Sequence, residues 1–204
     1  MKRVSITGLE LTSPACIEAL NAICSNLLFT AGEKRRIVFA GCAADAGAMA
    51  GRMVCALARR GKRVLLVEAD LRANSPADGK TGGLFAYLEG KCGPEDLVCE
   101  TDVANAFLIP AGGQTNDPVP LLAGARFEAL MEKAAQEYDM VVVQAPRAGV
   151  MVDAAEIART CDGAVLVLQY GVTKGREAKA AARQLALAGC PVLGCVIDQA
   201  EARA

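Results

Sequence analysis

The sequence contains no histidine and no tryptophan, and aromatic residues make up only 4% of its 204 residues. Nine cysteines are present, but no two of them are spaced as C-x-x-C. Without histidine or paired cysteines, a zinc site is not expected, and no metal ligands are assigned. The core must be built from Val, Leu, Ile and Ala, which suits strands that helices bury on both faces.

An excess of charge is also missing, because 22 basic residues face 23 acidic ones and the net charge is −1. This balance predicts no nucleic-acid partner. No continuous apolar run reaches about 18 residues, and the amino-terminal residues lack the apolar stretch of a signal peptide. We therefore expect a cytoplasmic chain without direct membrane insertion, whose cysteines are mostly buried thiols.

What the sequence does contain is a regular alternation of strands and helices. A helix should begin at the N-cap Ser13 with Pro14 in its first turn and end near Gly32. Apolar strands are predicted over 36–41, 63–68, 106–109, 140–143, 164–168 and 192–197, with the main helices over 46–60, 84–88, 121–137, 152–159 and 174–187. The pattern predicts an α/β fold with a doubly wound, mostly parallel sheet and helices on both faces. We expect one domain over 1–204, with a helical interface segment at 1–33 and an α/β core at 34–204.

The turn after the first long strand has the form of a phosphate-binding loop. Its candidate nucleotide-binding residues are Gly41, Cys42, Ala43, Ala44, Asp45, Ala46, Gly47 and Ala48. A working loop reads G-x-x-x-x-G-K-[ST], in which lysine neutralises phosphate oxygens and the hydroxyl binds Mg²⁺. No Lys, Ser or Thr occurs between Gly41 and Gly51. The helix N-terminus that follows would by itself bind an anion only weakly.

The next strand carries a more specific signal, GKRVLLVEADLRANSP over 61–76. It resembles the second conserved block of the bacterial tyrosine kinases (BY-kinases) of capsule and exopolysaccharide synthesis, within the MinD/ParA-like P-loop class. Collinear similarity runs from Glu18 and the segment 26–29 to the last two strands. The resemblance implies a P-loop NTPase-like fold, protein-tyrosine kinase activity with ATP or ADP and Mg²⁺, and the site residues listed here: Glu68, Asp70 and Arg72 in the second block, Gln144 at the third-block acid, and Asp198 at the base pocket.

The departures from this family pattern are equally informative. Alanine occupies the position of the family lysine: Ala48 if the loop is aligned from the preceding strand, or Ala46 if it is aligned from 61–63. Gln144 occupies the position of an acid. The interface helix keeps Glu18, but Asn21 and Cys24 replace its two arginines, and the carboxyl-terminal tyrosine cluster is missing. Losing one preorganised donor costs about 10²–10³ in rate, so the three losses predict a drop beyond ~10⁴. We expect vestigial catalytic residues, no bound cofactor, a collapsed loop over 41–47, and a monomer or dimer instead of a ring.

Three hypotheses follow from these observations. The first is a pseudo-kinase that acts through protein partners, either the cytoplasmic tail of a membrane polysaccharide co-polymerase-like activator or an active paralogue. Such a partner would supply any association with the membrane. The second is an active autokinase or ATPase in which Arg147 or Arg52 supplies the missing charge. The third is a MinD/ParA-like ATPase, which the absence of an amphipathic targeting segment after Asp198 disfavours.

Overall fold

The computed structural model describes residues 3–6, 13–73 and 82–199, which form one eight-stranded sheet with helices on both faces. The strands are β1 Arg3–Val4, β2 Arg36–Cys42, β3 Val64–Glu68, β4 Cys99–Thr101, β5 Ala106–Ile109, β6 Met140–Ala145, β7 Gly163–Gln169 and β8 Val192–Asp198. The helices are α1 Pro14–Ala31, α2 Gly47–Arg59, α3 Leu84–Leu88, α4 Val119–Leu122, α5 Ala125–Glu137, α6 Asp153–Ala158 and α7 Gly175–Leu187, with a 3₁₀ turn at Pro94–Asp96.

The strand order is β1-β4-β5-β3-β6-β2-β7-β8, and the pairs are parallel except for β4 with β5. The predicted doubly wound, mostly parallel sheet is confirmed. Strands β1 and β4 were not predicted, because segments of two and three residues are too short to show a hydrophobic period. The six predicted strands all exist, with ends that differ by one or two residues.

Two apolar layers, one on each face of the sheet, account for the continuous hydrophobicity of the central strands. Ile37 and Phe39 of β2 point into the layer beneath α1 and α2, while Val38 and Ala40 point into the layer beneath the later helices. All four side chains are fully buried. A strand that is covered on both faces needs apolar residues at every position, which explains why no polar–apolar alternation appears.

Local capping signals in the sequence predicted several helix ends correctly. Ser13 Oγ accepts the Cys16 N–H at 3.2 Å at the start of α1, and Pro14 occupies the first turn. Gly61 follows α2 with a φ of +80°, the left-handed conformation that glycine adopts at low cost. The single helix predicted over 121–137 is wrong, because the extended backbone at Gly124 separates α4 from α5.

Helix α1 buries one stripe and exposes the rest. Leu20, Cys24 and Leu27 are buried, whereas Ile17 is 46% exposed and lies outside the buried stripe. Among the described residues, α1 is one helix whose length and composition would allow it to cross a bilayer, although Glu18, Asn21 and Asn26 interrupt its apolar residues. The same criterion is met by core helices of soluble proteins and by signal sequences, so the observation is weak.

A carboxylate holds the amino-terminal ends of two central strands together. Asp162, just before β7, accepts hydrogen bonds from the backbone N–H groups of Arg35 and Arg36 and from the Arg36 guanidinium, with a shortest distance of 2.6 Å. Burial alone would raise the pKa of Asp162, but these hydrogen bonds lower the pKa below its ordinary value. The ionised carboxylate is therefore the form that stabilises the folded chain.

We expect Asp162→Asn to lower the free energy of unfolding at pH 7 by about 1–3 kcal/mol, because it weakens several charge-assisted hydrogen bonds. Since the folded pKa is depressed, the wild-type advantage should be present above about pH 4 and lost as the pH falls below that value. Urea unfolding of both proteins across this pH range measures the difference. Glu100→Gln, at an exposed carboxylate on β4, is the matched control. Equal stability of the wild type and Asp162→Asn at pH 7 would contradict the assignment.

Candidate functional site

The candidate site lies where three neighbouring parallel strands end. In the order β3-β6-β2, Glu68 of β3 is in register with Gln144 of β6, and Gln144 is in register with Phe39 of β2. The loop 43–46 leaves β2 at this edge and enters α2. The predicted loop and the predicted catalytic positions 68 and 144 are therefore brought together by strand order alone.

The loop after β2 folds tightly back on its first glycine. A Cβ on Gly41 would lie 1.9 Å from the Ala44 carbonyl oxygen, so only glycine is tolerated there, and Ala43 adopts a left-handed φ of +56°. The flanking loops tether it: the Gly41 carbonyl accepts the Ala148 N–H at 2.9 Å, and the Thr173 hydroxyl donates to the Cys42 carbonyl at 2.7 Å. The backbone at Ala44 thus packs against Gly41, and hydrogen bonds from the loops after β6 and β7 hold the start of this loop in place.

The amino-terminal end of α2 is capped by a carboxylate of the loop itself. The Gly47 N–H donates to Asp45 Oδ1 at 2.9 Å. The Gln144 amide nitrogen also lies close to this glycine, 3.4 Å from the position of a Cβ on Gly47, and the nearer Asp45 oxygen lies 3.3 Å from the same position. Helix N-termini attract anions, and at the start of α2 that anion is the Asp45 carboxylate of the same chain. One N–H group that a phosphate would use is occupied by Asp45.

At the end of the central strands, Gln144 carries no charge and burial disfavours the charged form of Glu68. Burial raises the pKa of Glu68, and a 3.3 Å hydrogen bond from the Ala111 N–H lowers it less. Gln144 is neutral and half-buried where the family pattern has an acid. Burial also raises the pKa of the Cys42 thiol, which therefore stays protonated at neutral pH.

The remaining second-block residues organise the loop after β3. Asp70 Oδ1 accepts the N–H groups of Arg72 and Ala73 at 3.1 and 3.2 Å. The Arg72 guanidinium forms a two-pronged ion pair with Asp153 and donates to the Asn116 carbonyl at 2.6 Å. Arg72 is thus committed to contacts within the chain.

Asp153 was not predicted from the sequence. It is the first residue of α6, and it is only 1% exposed. A carboxylate is rarely so buried unless it is paired, and Arg72 supplies the pairing. The available signal was an acid at a helix start between Val152 and Ala154, but its partner lies 81 residues away and no local pattern identifies it.

The other predicted site residues are spread over the molecule. Asp198 ends β8 at the same edge of the sheet, with β7 between it and β2. Glu18 and Asn21 are exposed on α1, whereas Cys24 is fully buried, so its assignment to an interface is wrong. A position that packs into the core cannot also present a side chain to another subunit.

Two arginines could replace the charge of the missing loop lysine. Arg147 lies on the loop after β6 with an exposed side chain, and Arg52 lies in α2. Within the described ranges, no three His, Cys, Asp or Glu side chains cluster as a metal-binding set. The loop residues do not fit ATP with Mg²⁺, because they include the Asp45 carboxylate and neither a lysine nor a hydroxyl.

Comparison with known proteins gives a consistent family. The chain is 31% identical over 189 residues to the tyrosine-protein kinase CpsD of Streptococcus agalactiae, covering 89% of this chain and 82% of CpsD. The solved BceF tyrosine kinase domain superposes with a TM-score of 0.81 at 28% identity, covering 95% of this chain and 81% of that one. The cell division ATPase MinD of Pyrococcus furiosus shares the fold, with a TM-score of 0.64 at 21% identity over 82% of this chain and 73% of MinD. No family model matches the sequence.

We expect Asp153→Asn to loosen the loop after β3, because it removes the charge that holds Arg72. The Thr115 N–H donates to the Leu71 carbonyl at 2.8 Å, beside this ion pair, and reports on the loop. Its amide hydrogen exchange should become faster by roughly tenfold or more. Glu128→Gln, at an exposed carboxylate on α5, should leave the exchange unchanged. Unaltered protection of Thr115 in Asp153→Asn would show that the ion pair does not hold the loop.

Proposed function

This chain belongs to the bacterial tyrosine-protein kinase family of capsule and exopolysaccharide synthesis, and we propose that within this family it is a pseudo-kinase that acts through protein partners. The proposal concerns a domain that keeps the family fold but binds ATP poorly and does not transfer phosphate. We propose that the domain acts in the cytoplasm, where it would meet these partners.

One observation carries the proposal: the Asp45 carboxylate accepts the Gly47 N–H at the amino-terminal end of α2. In a working phosphate loop this N–H group points at a phosphate, and a lysine neutralises the phosphate charge. Here a phosphate would have to displace a bound carboxylate and then lie beside it. Two anions a few Å apart repel each other, and the sequence from Gly41 to Gly51 offers no lysine to offset the repulsion.

The other positions support the same conclusion. Gln144 cannot act as a carboxylate toward Mg²⁺, and Glu68 has a raised pKa that disfavours its charged form. Arg72, the second-block cation, is held by Asp153 and by the Asn116 carbonyl. Phosphoryl transfer depends on positioning and charge stabilisation, and here Gln144 is uncharged, burial disfavours the charged form of Glu68, and Arg72 is ion-paired within the chain.

The partners belong to the proposal as well. A domain without catalysis acts by binding, and the two candidates are the cytoplasmic tail of a membrane polysaccharide co-polymerase-like activator and an active paralogue of this chain. Exposed apolar side chains cluster in sequence on the loops after β6 and β7, at Val150, Val152, Tyr170 and Val172. Assembly into a ring is not proposed, because the family's arginine positions are Asn21 and the buried Cys24.

An active autokinase is the second candidate function, and the family membership itself favours it, since CpsD is named a tyrosine-protein kinase. It requires Arg147 or Arg52 to replace the loop lysine. A MinD-like ATPase is a weaker candidate, because the structural similarity to MinD is lower than that to the BceF kinase domain.

We expect calorimetric titration of the purified chain with Mg-ATP and Mg-ADP to show no saturable binding up to millimolar nucleotide. The physical reason is the internal carboxylate at the α2 terminus together with the missing lysine. CpsD, titrated under the same conditions, is the positive control. Binding of either nucleotide with a micromolar dissociation constant, weakened by Gly47→Pro because that change removes the cradle N–H, would overturn the proposal.

The purified chain should also show no ATPase or tyrosine kinase activity, with any rate reduced by more than about 10⁴ relative to CpsD. Phosphate release and phosphotyrosine detection are the two measurements. The Asp70→Ala variant is the control for contaminating enzymes, because activity from a contaminant would persist in the variant preparation. A turnover that survives purification and disappears in Asp70→Ala would establish the active autokinase or ATPase instead.

A further inference from the structure

Strand β8 forms one end of the sheet, and none of the described residues pairs with its outer edge. Free edges are usually protected by lysine, proline or a very short strand, since they otherwise pair with other chains. Strand β8 has seven residues, and from Val192 to Ile197 it contains no charged residue and no proline. Apart from the terminal Asp198, this edge is therefore long and uncharged, and no described residue pairs with it.

The backbone groups that face outward can be identified from the pairing with β7. The Tyr170 N–H donates to the Asp198 carbonyl, so the backbone of Asp198 points toward β7. Because backbone groups alternate in direction along a strand, Val196 points the same way, and the N–H and C=O of Cys195 and Ile197 point outward. The irregularity in register between Ala164 and Val165 leaves Gly194–Asp198 as the regular part of the edge.

The same two residues also carry exposed apolar side chains. Ile197 is 58% exposed and Cys195 is exposed, whereas Val196 between them is 6% exposed and packs into the core. Alternation places Cys195 and Ile197 on one face of the strand. Unpaired donors, unpaired acceptors and exposed apolar surface thus coincide at two positions.

We propose that this edge is a self-association surface, on which β8 pairs in antiparallel fashion with β8 of a second copy about a two-fold axis at Val196. In this register Cys195 lies opposite Ile197 of the second copy, and Ile197 lies opposite its Cys195. The two reciprocal pairs use all the outward-facing N–H and C=O groups of these residues. Their four side chains form one apolar cluster on a single face.

A second copy fits this edge better than an unrelated strand, because the edge is complementary to itself. The nearest charge is Asp198, and in this register the two copies of Asp198 are four residues apart along the strands, about 14 Å. That distance exceeds the screening length of about 8 Å at physiological salt. Self-pairing therefore brings no like charges together, and each exposed Cys195 or Ile197 side chain lies opposite an exposed apolar side chain of the second copy.

Sedimentation equilibrium of the full chain provides the first test. The wild type should be a dimer, and Ile197→Lys should weaken dimerisation by at least tenfold, because two ammonium groups would then lie diagonally across the axis. Val150→Lys, at another exposed apolar residue on the loop after β6, is the matched control and should leave the dimer intact. A monomeric wild type, or a dimer that Ile197→Lys does not weaken, would overturn the proposal.

Cross-linking gives an independent test that does not depend on a disruptive variant. Diagonal neighbours across an antiparallel pair are about 7–8 Å apart, so a short bis-maleimide should join the two copies of Cys195. Cys16 is also an exposed free cysteine and serves as the internal comparison for random collisions. We expect the covalent dimer to be lost in Cys195→Ser and retained in Cys16→Ser. Cross-linking through Cys16 alone, or its absence in the wild type, would contradict the pairing.

Discussion

The constraint on which this molecule depends is the burial of a parallel sheet on both faces. Parallel strands run in one direction, so their carboxyl ends lie at one edge, and the helices that cover the sheet leave only that edge open to a ligand. Strand order β3-β6-β2 then places Glu68, Gln144 and the loop 43–46 side by side whatever their side chains are. The geometry of a phosphate site is thus preserved by the packing of Val, Ile and Leu elsewhere. The chemistry at that edge can change without a change of fold.

The altered residues at this edge all act to reduce its negative charge. A loop that loses its lysine is left with surplus negative charge, and the surplus is reduced in three ways. Gln144 replaces a carboxylate, burial disfavours the charged form of Glu68, and the Asp45 carboxylate binds the helix N-terminus. Asp70 caps two backbone N–H groups of its own loop. Each remaining anion therefore has a partner within the chain, which is the arrangement expected of a site that is stable without a ligand.

The features that could be predicted from the sequence are those that a few neighbouring residues determine. The cap at Ser13, the stop at Gly61 and the continuous apolar strands are local, and the structure confirms them. The break at Gly124 was missed because the periodic pattern continues across it. Asp153 was missed because its burial depends on an arginine far away in the sequence, and Cys24 was misassigned because the family pattern identifies its position but not the face of α1 that packs on α2.

The proposed β8 pairing has a consequence for how the domain meets its partners. A two-fold axis perpendicular to the sheet makes the paired strands antiparallel, so the carboxyl edges of the two copies face in opposite directions. The loops after β6 and β7 of the two copies would then lie at opposite ends of one continuous sheet, measured along the strand direction. A partner anchored in a flat membrane would reach the loops of one copy while those of the second copy face away. The second copy would remain available to a soluble partner, such as an active paralogue, so that the dimer would join a membrane protein to a cytoplasmic kinase without any chemistry of its own.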